Sequence, residues 1–99
     1  MDVTVTVYYM GLIQEVLPVS SERVTLATGA TVGNLLAELS ARHGPALAEA
    51  LLAPDGEPLP NAVVQLDGRN ILHLQGQQTP IERDGVLHIV LTPGFIGGG

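Results

Sequence analysis

Asp84-Gly85-Val86-Leu87-His88-Ile89-Val90-Leu91 carries the reading of the fold. An aspartate–glycine pair launches a run that is apolar at odd and even positions alike, interrupted only by His88. A strand with one wet face would show a polar residue at every second position. This run therefore predicts a central strand, covered on both sides or nearly so. The other strongly β-prone run lies at the far end of the chain, Val3-Thr4-Val5-Thr6-Val7-Tyr8-Tyr9-Met10, alternating with period two and its valines on one face. As the two most hydrophobic strands, the first and the last are expected side by side at the sheet centre.

The elements between them follow from changes of period. Gly11 breaks the first strand, and Arg23-Val24-Thr25-Leu26, after the Pro18-Val19-Ser20-Ser21 turn region, is expected to return antiparallel to it. From Thr31 the apolar positions become Val32, Leu35, Leu36 and Leu39, one face of an amphipathic helix. The Thr31 hydroxyl is placed to cap it, and Gly44-Pro45 ends it, with His43 in the last turn. Pro45 then opens a shorter helix over Ala46 to Leu52. Pro54 to Pro60 is loop by composition. Val63 to Leu66 runs into Asp67-Gly68, a two-residue hairpin signal, and returns through Arg69-Asn70-Ile71-Leu72. One long helix across one face of a sheet of sequential hairpins is an α+β domain.

Composition removes whole classes of function. The chain has 99 residues and no cysteine, so disulfides, thiolate nucleophiles and cysteine-ligated metals are absent from its chemistry. Its four basic residues are all arginine (Arg23, Arg42, Arg69, Arg83), against ten acids and a net charge of −6. Without a basic footprint, neither nucleic acid nor an anionic membrane is an expected partner. Apolar runs are far below a bilayer span, and Asp2 spoils a signal-peptide reading, so a soluble, cytoplasmic domain is expected. His43, His73 and His88 sit at no metal-ligand spacing, so no metal site is expected. No G-x-S-x-G, G-x-G-x-x-G or P-loop occurs. The acids, Glu22 among them, read as a solvated surface that would steer the domain towards basic partners.

What remains is Gly97-Gly98-Gly99. As composition, three glycines are equally a plain terminal extension. As chemistry, a carboxylate that must enter a narrow channel in another protein cannot carry side chains, and glycine adds no bulk. The carbonyl stays open to attack once it is activated, most simply as an acyl-adenylate. Upstream stand Leu66-Asp67-Gly68-Arg69-Asn70-Ile71, Leu74-Gln75-Gly76, Thr79-Pro80-Ile81, Asp84-Gly85 and Leu87-His88-Ile89. In this order and spacing, ending in glycines, they resemble the MoaD/ThiS family of ubiquitin-like sulfur carriers. The match is nearest the longer branch, with an insertion where Ala53 to Pro60 stands.

The resemblance implies a ubiquitin-like β-grasp, a mixed sheet of four to five strands with one main helix packed across it. It implies a domain over residues 1–93 and a flexible glycine tail over 94–99. The sulfur-carrying terminus would be Gly99, with Gly98 before it or in its place if Gly99 is trimmed. Phe95, Ile96 and Gly97 would contact partners, although Phe95 and Ile96 also suit folding back to cap the sheet edge. No bound cofactor and no independent catalysis are expected. A ubiquitin-activating-type enzyme would consume ATP, sulfur would be held as a terminal thiocarboxylate, and an acceptor such as the molybdopterin synthase large subunit would take it. Carriers for cysteine, thiamin or tRNA thiolation share the logic. Two departures from the family pattern stand out: a third terminal glycine, adding about 3.3–3.6 Å of reach, and Asp84-Gly85-Val86 in place of Asp-Gly-Asp. The absence of lysine reads first as codon and composition bias; its functional alternative is another class, a ubiquitin-like modifier conjugated to other proteins' lysines, since its own surface offers no competing ε-amine. A β-grasp interaction module with incidental glycines is the third.

Overall fold

A computed structural model describes residues 1–55 and 57–93. β1 (Asp2–Gly11) and β2 (Ser21–Ala27) form the expected antiparallel hairpin, with Val5 opposite Val24 and Tyr8 opposite Ser21. Between them a 3-10 turn at Leu12–Glu15 buries Ile13. α1 (Val32–His43) buries Val32, Leu35, Leu36 and Leu39, the four positions that the spacing marks. Its cap is reciprocal: the Asn34 N–H donates to Thr31 Oγ1 at 3.1 Å and the Thr31 N–H donates to Asn34 Oδ1 at 2.9 Å. Gly44, at φ 82°, stops the helix, and Pro45 begins α2 (Pro45–Leu51). The chain then folds back on itself, the Leu59 N–H donating to Leu51 O at 2.7 Å.

β3 (Ala62–Leu66) turns through Asp67 and Gly68, whose φ values of 51° and 86° match the two-residue turn that the dipeptide signals. The return strand is shorter than expected. β4 is Arg69–Asn70 alone, and Ile71–His73 winds into a 3-10 turn whose first free amide, Leu72 N–H, is accepted by Asn70 Oδ1 at 2.9 Å. Ile71, the first residue of that turn, is buried in the core.

β5 (Gly85–Leu91) completes a sheet of order β2-β1-β5-β3-β4. It lies parallel to β1, with Val7 opposite Leu87, and antiparallel to β3, with Val64 opposite Ile89. The first and last strands are thus neighbours and β5 is central, the mixed five-stranded sheet of a β-grasp. One expectation is corrected. β5 is covered on one face only: Leu87, Ile89 and Leu91 are buried with α1 and α2, whereas Val86, His88 and Val90 are half-buried on the other. Among the described residues no helix packs on that face.

Gly11 ends β1 opposite Leu91, at φ 75°. A Cβ on it would stand 2.4 Å from Leu91 O, so no other residue fits. Among the described residues no helix is long and apolar enough to cross a membrane.

Candidate functional site

β5 runs along the sheet centre and delivers the chain to Thr92 and Pro93 at one sheet end. The residues expected to carry chemistry, Gly98 and Gly99, and those expected to meet partners, Phe95, Ile96 and Gly97, lie outside the described residues. What the structure does define is the departure point. The Asn61 side-chain amide donates to Thr92 O at 3.0 Å, and the Thr92 N–H donates to Asn61 O at 3.0 Å.

Beside this exit the open sheet face becomes apolar. Tyr8 pairs with His88 and Met10 with Val90 across β1 and β5, and Val63 pairs with Val90 across β5 and β3. Tyr8 and Met10 are exposed, and the Tyr8 ring stacks on the His88 imidazole at 5.4 Å and 19°. Among the described residues, His88 Nδ1 is buried with no hydrogen-bond partner. Tyr8, Met10, Gln14, Ser20, Ser21 and His88 border a cavity of about 300 Å³. The face thus combines apolar surface with a few polar groups, a composition suited to protein contact. A larger cavity of about 540 Å³, lined by Asp67, Arg69, Glu82 and Arg83 among others, lies by the start of β5 and not by the exit. Seven residues of strand, about 20 Å, separate those two ends.

One polar constellation was not legible as such in the sequence. Glu22 reads there as surface, yet its side chain is only 15% exposed. Its Oε2 accepts from Tyr9 Oη at 2.6 Å and meets His43 Nε2 at 2.5 Å, while Oε1 accepts from Arg42 at 3.0 Å. Burial works to raise the Glu22 carboxyl, but the hydrogen bonds from Tyr9, His43 and Arg42 outweigh it and hold the pKa below the ordinary value. Desolvation, then the hydrogen bond and the charge of Glu22, push the Tyr9 phenol far above its usual range. Tyr9 is 1% exposed, so no substrate reaches the group. Its work is to pin β1, β2 and the end of α1 together. The signal was present as periodicity: Glu22 shares the alternation of Val24 and Leu26, and His43 follows Leu39 by one helical turn.

Among the described residues no cluster of three or more His, Asp or Glu side chains is placed to hold a metal ion.

The ThiS family model matches residues 7–99. The solution structure of the Haloferax volcanii HVO 2177 protein is similar with a TM-score of 0.77 and 28% identity, covering 98% of this chain and 88% of that one. The crystal structure of small archaeal modifier protein 1 from H. volcanii is similar in fold, with a TM-score of 0.77 and 22% identity over 92% of this chain and 99% of that one. The Amycolatopsis orientalis BexX/CysO complex contains a chain of the same fold, with a TM-score of 0.72 and 18% identity over 93% of this chain and 99% of that one. No curated protein sequence matches significantly.

Proposed function

The chain belongs to the ThiS family of ubiquitin-like sulfur carriers, and from that premise we propose that its C-terminal glycine, Gly99, carries sulfur as a thiocarboxylate to an acceptor enzyme, in molybdopterin biosynthesis. The observation that supports this reading is the reach of the family match, which runs through the glycine segment to residue 99. The folded part is consistent with it. An acidic domain without cysteine has no thiol of its own to compete for a sulfur donor, and its apolar face beside the exit suits docking.

The steps balance as follows. A ubiquitin-activating-type enzyme directs the Gly99 carboxylate onto the α-phosphorus of ATP, and pyrophosphate leaves. The terminal sulfur of a persulfide attacks the acyl carbon, and AMP leaves. A second thiol on the donor side attacks the donor cysteine's own sulfur in the resulting acyl disulfide, forming a cysteine disulfide and releasing the terminal sulfur on the carrier as the thiocarboxylate. Transfer to the acceptor replaces sulfur by water-derived oxygen and regenerates the carboxylate. Glycine suits the reacting position because nothing shields its carbonyl.

A second reading, a modifier conjugated to lysines of other proteins, is favoured by one specific observation, the absence of lysine from the chain. One of the proteins similar in fold is itself named a modifier. Intact mass separates the two. Incubation with the activating enzyme, ATP and a persulfide donor should raise the mass of the mature chain by about 16 Da, the exchange of oxygen for sulfur in the covalent step. No gain, with isopeptide adducts recovered from cells, would sink the sulfur-relay reading.

A further inference from the structure

The chain is held from both sides where it leaves the sheet. On the β3 side, the Thr92 N–H donates to Asn61 O at 3.0 Å, the Thr92 hydroxyl donates to the same oxygen at 3.1 Å, and Asn61 Nδ2 donates to Thr92 O at 3.0 Å. The strand ladder needs only the first. The other two are contributed by side chains one position beyond the last register pair, Ala62 and Leu91. On the β1 side, the bare Gly11 lets its backbone close on Leu91 O, as a Cβ there would stand 2.4 Å away. Pro93 follows at once, and its ring restricts φ.

We infer that Asn61 and Thr92 are positioning residues for the chemistry at the chain terminus: they fix where and in which direction the arm departs, and so where Gly99 arrives in a partner. The role rests on the carrier reading above. Gly94 to Gly99 reach at most about 20 Å when extended. Releasing Leu91 and Thr92 from the sheet would add about 7 Å to the arm. A reacting carbonyl must be placed within about 0.5 Å of productive geometry, so slack of that size is not neutral. Freed residues would also have to be ordered again as the bound terminus is brought into reacting geometry, an entropic cost that falls on kcat. Thr92 itself is exposed. Side-chain bonds at an exposed strand end contribute little to global stability, so their main consequence falls on placement.

The test uses the intact chain with its adenylating enzyme and follows ATP–pyrophosphate exchange in Asn61→Ala, Thr92→Val, the double variant and Thr92→Ser. The double variant should lose about fivefold in kcat, the equivalent of the two side-chain bonds, with KM unchanged. Thr92→Ser, which keeps the hydroxyl, should exchange at the wild-type rate. Amide exchange at Thr92 should quicken in the double variant. Unchanged kcat in the double variant, or a rise in KM alone, with the wild type fully active, overturns the positioning role and leaves the carrier reading standing. A wild-type chain that supports no exchange overturns the carrier reading, and the positioning role with it. If the double variant loses its folded circular dichroism, Thr92→Val alone carries the same comparison.

Discussion

The phenol of Tyr9 and the carboxylate of Glu22 meet at 2.6 Å between β1 and β2, behind a helix end that adds His43 and Arg42 to the same carboxylate. Three elements are joined by one acid. Hydrogen bonds to a charged acceptor contribute about 1.5–3 kcal/mol, and the loss of that acceptor strands its donors. Glu22→Ala should therefore destabilise the fold by about 2–4 kcal/mol and Tyr9→Phe by about 1–2 kcal/mol, read as a lower urea midpoint at unchanged m-value. Equal midpoints for wild type and Glu22→Ala would show that the cluster is a surface arrangement without energetic weight.

The same cluster sets a pH dependence with a definite sign. Glu22 has its pKa lowered in the folded chain from the ordinary 4.5, so its stabilisation is complete above that value and is lost as pH falls through the depressed folded pKa. Tyr9 has its pKa raised from 10.0, so its contribution is complete below that value and is lost as pH rises beyond it. Unfolding free energies across both limbs should show Glu22→Gln flatter than wild type on the acid side and Tyr9→Phe flatter on the alkaline side. Parallel curves for variant and parent would contradict the assignment.

Gly11→Ala should be among the most damaging single changes in the chain. It forces φ 75° on a residue with a side chain and sets that Cβ 2.4 Å from Leu91 O, where the two central strands end. Strain of this kind costs about 1–3 kcal/mol for the backbone alone, before the clash. Thermal unfolding measures it, and a variant melting within a degree of wild type would mean that the strand ends part without cost.

Removal of Gly98 and Gly99 should separate folding from function. The core is built from residues between Val3 and Leu91, so the truncated chain is expected to melt with the parent and to be refused by the activating enzyme. A shortened chain that unfolds, or one still converted to a thiocarboxylate, would each displace the terminus from the account above.

The sequence by itself determined the elements and their partners in the sheet. Period two in Val3 to Val7, the i, i+3, i+4, i+7 spacing of Val32, Leu35, Leu36 and Leu39, and the Asp67-Gly68 turn are local signals, because side-chain direction along a strand or helix is a property of the backbone itself. The central place of β5 was legible too, since two runs more apolar than the rest have the most to gain from the middle of a sheet. Tertiary structure alone decided the remainder. That Val86, His88 and Val90 look outward is settled by both helices packing on the other face. That Glu22 is a half-buried junction depends on which helix end crosses β2: the alternation it shares with Val24 and Leu26 gives its face but not its partners. The departure point at Asn61 and Thr92, 31 residues apart in the chain, exists only once β3 lies beside β5. Local physics chooses the elements, while which polar groups meet is fixed by contacts between residues that the sequence keeps apart.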